Sequence, residues 1–384
     1  MDEMNEMNDR TNAEEEQRGA TGLAPRGTEL PEEQGDRHGE ETGEEGVTLR
    51  YRRRPPRRAV GLALSVLLLL VAVLLAVAAM GRTRGDGGET TGTDTTAGTE
   101  PETEAPARDL YFFDPGEIPE GHVGIRPSDL SGEAGSLTNL TELTPDLEAL
   151  SALYGERAEG EAVFTEPLVL ILHTHATEAY STEGATSWDG TGESVRSEES
   201  RTNVIAVGKL LADALNGMGI PTLHSALCHD VTEDGTVSNL GSYARSRETV
   251  ERYRELYPSI RYVIDLHRDA VLDEDGNLLR AVTEVDGEAV AQVMAVVGSG
   301  GETPWERDLA LALAFSEVLN GEGHRIARAP TLKGTPLLQE HTELGLTLEL
   351  GTAGNSLDEA KRAVPFVAKA LFEVISRIEC AEGT

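Results

Sequence analysis

The sequence predicts an α/β domain, a mainly parallel sheet flanked by helices, preceded by a single transmembrane helix. Three observations predict it. Residues 60–80, VGLALSVLLLLVAVLLAVAAM, run for 21 positions without a charge. From about residue 165, short apolar runs alternate with segments of helical periodicity. Between these segments stand residues that stop helices, Gly219 and Pro258.

The amino-terminal third sets the address. Residues 1–49 hold 15 acidic residues and four Arg with almost no large apolar side chain, so this segment is expected to be a disordered acidic tail. The run at 60–80 spans roughly 30 Å as a helix, the thickness of a bilayer's hydrocarbon core. RYRRRPPRR at 50–58 puts six Arg on its amino-terminal side, which places that end in the cytoplasm. A cleaved signal peptide is the competing reading, but its apolar stretch would be shorter and nearer the start. Residues 50–81 are thus the basic flank and anchor of a single-pass membrane protein. Residues 82–108, rich in Gly, Thr, Pro and acids, are a flexible linker outside the membrane. Residues 109–164 read as a stalk or accessory segment. The net charge of −35 argues against binding nucleic acid. With two cysteines the chain is no disulfide scaffold. Cys228 reads as a small buried hydrophobe and Cys380 as part of a frayed tail, with one disulfide as the alternative.

Residues 165–384 form the extracytoplasmic domain. PLVLILHT (167–174) is a buried strand, too short for a helix. An amphipathic helix follows at 202–218, with Val204, Val207, Leu211, Leu215 and Met218 at helical spacing and Gly219 as its stop. A strand at 221–227, a charged helix at 243–257, and strands at 260–267 and 290–298 come next. A helix at 305–320, a strand at 344–351 and a helix at 356–378 with Pro365 inside complete the pattern. GSGGETPW (298–305) lacks the Lys of a phosphate-binding loop and reads as a turn.

Sheets of this kind bind ligands beyond the carboxyl ends of their strands, and three such ends carry ionisable groups. LHTHATE offers His173, His175 and Glu178; DLHRD offers Asp265, His267, Arg268 and Asp269; LELG places Glu349 in an apolar strand. His-x-x-Glu with a distant His can supply three zinc ligands and leave one position open. Zinc there lowers the pKa of a water, and a nearby carboxylate such as Glu349 takes its proton. Each group has a structural alternative: a hydrogen-bonded core His, or an ion pair between Glu349 and Arg268. His229, followed by Asp230, is the candidate to orient a ligand from behind. His224, His324 and His341 read as solvated or capping groups.

The runs LILHTHATEAY, RTNVIAVGKLLADAL, SYARSRETVERY, IRYVIDLHRDAV, QVMAVVGSG and LTLELGTAGNSLDEAKRA resemble, in this order, the stage II sporulation protein P family. The resemblance covers roughly 165–378. It implies an amidase-like fold and a zinc-dependent (Zn2+) peptidoglycan hydrolase related to the N-acetylmuramoyl-L-alanine amidases, described as also cutting peptide cross-links. It further implies action in engulfment during sporulation, beside a lytic transglycosylase and a third membrane protein. Carried over by position, His175, Glu178 and His267 are metal ligands and Glu349 the catalytic base. His173 is an alternative to His175, and Glu199 an alternative to Glu178, because related amidases carry the acidic ligand just before the first helix. PLLQEHTEL (336–344) departs from the family's usual aromatic-Asn-Gln run, keeping Gln339.

Two further readings stay open on the sequence. One is a non-catalytic scaffold of the same envelope complex. The other is a zinc carboxypeptidase, in which Arg268 would hold a terminal carboxylate.

Overall fold

The computed structural model describes residues 110–382, apart from 115, 134, 156–162, 302 and 303. The expected acidic tail, anchor and linker lie outside the described residues. Among the described residues, no helix is long and apolar enough to cross a membrane.

In chain order, β1 (His122–Ser128) and β2 (Thr138–Asn139) precede helix α1 (Leu147–Gly155). Next come β3 (Val169–Leu172), β4 (Ser187–Asp189), α2 (Val204–Met218), β5 (Thr222–His224) and α3 (Ser242–Leu256). Strands β6 (Tyr262–Asp269), β7 (Leu278–Val285), β8 (Glu288–Ala291) and β9 (Val293–Gly298) follow. Then come α4 (Trp305–Leu319), β10 (Thr331–Lys333), β11 (Leu344–Thr352) and α5 (Leu357–Glu382), which contains Pro365.

Among the described residues these strands form two sheets. The larger runs β2-β10-β9-β11-β6-β3-β5 and is parallel at every junction except β11–β9. Its centre is continuous apolar sequence because both faces are covered. Val169, Ile171, Tyr262, Ile264 and Leu266 point into a core shared with α2, α4 and α5. Leu170, Leu172 and Val263 point the other way, against Val250 of α3 and Leu338. This alternation, with its period of two, puts Asp265 and His267 on the α3 side as well.

Helix α2 begins where Asn203 accepts the Ile205 N–H and ends at Gly219, whose left-handed φ of 95° suits glycine. Val204, Val207, Leu211 and Leu215 are buried as the helical spacing predicts, whereas Met218 on the last turn is exposed.

The smaller sheet, β4-β1-β7-β8, has no counterpart in the sequence reading. The described residues of the 109–164 segment are built into the domain: β1 pairs with β7, β2 with β10, and Tyr154 of α1 enters the large core. The run at 290–298 is two strands broken at Gln292. Its buried amide accepts from the Leu130 N–H and donates to Asp129 and the Arg325 carbonyl. Cys228 is exposed rather than buried, and Cys380 is half-buried on α5 rather than in a frayed tail; the two are not joined.

Asp308 of α4 is buried and accepts the Gly345 N–H at 2.8 Å. Burial pushes its carboxyl up to about 7. A folded-state pKa above the unfolded one contributes stability at low pH that is lost as pH rises through about 7. Asp308→Asn keeps an acceptor and removes the charge. Its stability relative to the parent protein is therefore expected to rise by about 2 kcal/mol between pH 5 and pH 8, measured by urea unfolding with tryptophan fluorescence. A pH-independent difference contradicts the assignment.

Candidate metal centre

Strand β3 stops at Leu172, and the chain then turns through residues 174–177. The Glu178 N–H closes this turn on the His175 carbonyl at 3.0 Å, and the Val204 N–H that opens α2 takes the Glu178 carbonyl at 2.9 Å. The turn is locked by a residue the sequence reading passed over, Arg196. It donates to Thr177 Oγ1 and to Asp230, which in turn accepts from Thr177.

Three donors from the ends of β3 and β6 converge. His175 Nδ1 lies 3.4 Å from Glu178 Oε1, and His267 Nδ1 lies 3.2 Å from Glu178 Oε2. The imidazoles meet edge to face with centroids 5.0 Å apart, and one ligand atom from each of the three residues fits within 4.8 Å of the others. Glu178 and His267 are buried; His175 is half-buried and rests edge-on against Tyr243 of α3.

Behind His267, Asp265 Oδ2 stands 3.0 Å from Nε2, close enough to pair in charge although the ring N–H is not aligned as a hydrogen bond. Asp265 is itself fixed by the Thr174 N–H at 2.8 Å and hydroxyl at 2.7 Å. Burial alone would push the Glu178 and Asp265 carboxyls up. The His267 charge, with Arg268 beside Glu178 and hydrogen bonds at both, outweighs it and holds both below their ordinary values. Burial likewise opposes charge on His267, and Asp265 and Glu178 overcome it, raising that imidazole well above its usual value.

Arg268 faces Glu178, not Glu349. Its backbone N–H donates to Glu178 Oε2 at 3.1 Å, and Nη1 lies 3.7 Å from Oε1. The rest of the buried guanidinium donates to the carbonyls of Ala179, Gly192 and Val195. It is spent on its own chain and is not presented to a substrate carboxylate.

Glu349 sits on β11 in register with His267. It is half-buried, and its Oε2 is buried without a hydrogen-bond partner. Burial first, then the charges of Asp269 and Glu178, push this carboxyl up to about 7 against the opposing pull of His267. Asp269 touches none of the three donors; it ends β6 in a 2.7 Å pair with Arg328.

The remaining candidates are elsewhere. His173 and His175 would share a face on a continuing strand; His173 keeps the inward face of Val169 and Ile171, toward Leu266 and His224, whereas the turn after β3 carries His175 to the metal donors. His224 is half-buried there rather than solvated. Glu199 is exposed and pairs with Arg201. His229 contacts no ligand; it bonds the His173 carbonyl at 2.7 Å and Thr249 at 2.8 Å. Gln339 is buried and donates to the Val296 carbonyl, a packing role.

Two imidazoles and a carboxylate are a donor set suited to zinc. A divalent cation among them would satisfy Glu178 with His267 neutral and Asp265 behind it, the arrangement by which metal-binding histidines are oriented. The residues present fit such an ion.

The family description "Stage II sporulation protein P (SpoIIP)" matches residues 127–372. Stage II sporulation protein P of Bacillus subtilis (strain 168) is 26% identical over 227 residues, 56% of this chain and 54% of that protein. The match thus spans about half the length of that relative. Solved structures with some likeness include N-acetylmuramoyl-L-alanine amidase AmiC2 of Nostoc punctiforme, at 15% identity over 56% of this chain and 99% of that one, TM-score 0.33. The CwlD amidase of Clostridioides difficile, solved with the GerS lipoprotein, gives 10% identity over 56% and 100%, TM-score 0.34. These likenesses are too distant to carry residue roles across.

Asp265→Asn keeps the shape behind His267 and removes the charge. It is expected to weaken zinc binding roughly 10- to 100-fold, measured by competition with a chromogenic chelator. Unchanged affinity would mean that Asp265 supports only the Thr174 turn.

Proposed function

The chain belongs to the stage II sporulation protein P family, and on that premise we propose that it is a zinc-dependent peptidoglycan hydrolase. Its bond is the amide joining the N-acetylmuramoyl lactyl group to L-alanine, with peptide cross-links as a second target. The observation that carries the reading is the convergence of His175, Glu178 and His267 beside a second carboxylate, Glu349, with an unsatisfied buried oxygen.

In this reading His175, Glu178 and His267 would hold the ion, which would supply Lewis acidity to the attacking water and the scissile carbonyl. Glu349 accepts the proton of the attacking water and returns it to the departing amide nitrogen. Asp265 and Arg268 hold His267 and Glu178 in place and do not touch substrate. The buried, self-bonded guanidinium of Arg268 disfavours a carboxypeptidase, since no arginine at this point is offered to a terminal carboxylate.

The cellular setting is proposed on the sequence. Residues 60–80 anchor the chain in the cytoplasmic membrane with the basic flank inside, and 82–108 let the domain reach the wall. It acts in engulfment during sporulation, with a lytic transglycosylase and a third membrane protein as partners.

Full-length protein in detergent, incubated with purified peptidoglycan, is expected to release intact stem peptides identifiable by mass spectrometry. Chelation should stop release and zinc restore it. Glu349→Ala should lower turnover by about 10²- to 10⁴-fold with zinc retained, and His267→Ala should lose both zinc and activity. Wild-type turnover in Glu349→Ala would overturn the assignment of the base. Bound zinc without cleavage, even of trimmed glycan strands, would favour a scaffold.

A further inference from the structure

Immediately below the three converging donors lies a second set of imidazoles with a different task. We propose that His173, held by His224, is a positioning residue that fixes the backbone carrying His267. The inference rests on the metal-binding reading above and extends it to residues that touch neither ion nor substrate.

The hydrogen-bond chain is directional. His173 Nδ1 lies 2.8 Å from the Leu266 carbonyl, which can only accept, so Nδ1 carries the proton. Nε2 is then an acceptor, and the group facing it at 2.9 Å is His224 Nε2, which must donate. One ring therefore ties β3 to β6 and is held in its tautomer from β5, across three adjacent strands of the sheet. The carbonyl it grips belongs to the peptide unit whose nitrogen is that of His267. The His173 carbonyl is gripped in turn by His229 Nδ1 at 2.7 Å, two residues before His175. Both strand ends that supply imidazole donors are thus held by imidazoles behind them. Metal–ligand distances tolerate only about 0.2 Å, so slack in either backbone is felt at the site.

The packing around the pair shows how closely it is fitted. Helix α2 passes over it at Gly208. A Cβ there would lie 2.5 Å from His173 Cε1, 2.6 Å from His173 Nε2 and 3.0 Å from His224 Nε2. In a helix interior alanine is ordinarily favoured over glycine. Glycine at this position is explained by the space the two rings need.

The test uses full-length protein in detergent, loaded with zinc for affinity by chelator competition and with cobalt(II) for the visible spectrum, which reports ligand geometry. His224→Leu removes the donor to His173, His224→Gln retains an N–H, and Gly208→Ala displaces the rings without altering either. His224→Leu and Gly208→Ala are expected to weaken zinc about tenfold and to shift the cobalt bands, with circular dichroism unchanged. His224→Gln should restore most of both. Wild-type affinity and spectrum in His224→Leu would overturn the inference, as would equal losses in the Leu and Gln variants, which would mark a packing role. If Gly208→Ala fails to fold, the His224 pair still decides. If the wild-type protein binds neither metal, the metal reading itself falls, and the positioning role with it.

Discussion

The structure is organised around one buried negative charge. Glu178 has lost nearly all its water, and a carboxylate so placed is costly unless cations and hydrogen-bond donors surround it. Two imidazoles and a buried arginine do so here, and each comes from a different constraint on the chain. His175 arrives through a one-turn reversal after β3, His267 from the end of β6, and Arg268 from the next residue, which a strand directs to the opposite side. Because Arg268 also gathers the carbonyls of Ala179, Gly192 and Val195, the loop from 178 to 196 is folded around the same charge. Removing any one of these partners would leave the buried charge less compensated.

The sheet makes that convergence possible. Parallel strand β3 stops beside Asp265 while β6 runs on to Asp269, so the turn after β3 meets His267 without a long loop. Strand β11 runs parallel to β6 and carries Glu349 to the same level. The antiparallel β9 closes its other side and joins the second sheet through Gln292 and β8. Helix α3 covers the site face and supplies Tyr243 against His175, while α2, α4 and α5 fill the opposite face with apolar side chains.

Much of this was legible in the sequence, for a definite reason. His175, Glu178, His267 and Glu349 interrupt or terminate apolar runs where a structural role calls for Val, Ile or Leu. The helix stops at Gly219 and Pro258 and the buried strands at 169–172 and 262–269 follow from local chemistry. The direction of His173 follows from the alternation that turns Val169 and Ile171 toward α2; that of His175 does not, since it depends on where β3 ends and the turn begins. Nor does the smaller sheet: β1 joins the β7–β8 hairpin by pairing Ile125 with Leu278, far along the chain, which no local pattern records. The roles of Thr174, Arg196 and His224 also depend on partners from other elements: Asp265, Asp230 and His173. Asp265, two residues before His267, was readable from strand alternation alone.

The claim at the centre of this account is that His175, Glu178 and His267 share one metal ion. X-ray absorption at the zinc edge, on full-length protein loaded with one equivalent of zinc, tests it most directly. The account predicts a four-coordinate shell of nitrogen and oxygen only, with outer-shell scattering from two imidazoles, falling to one in His267→Ala or His175→Ala if the ion is retained at all. A shell containing sulfur, or one whose imidazole scattering is unchanged by both substitutions, would place the ion elsewhere and contradict it.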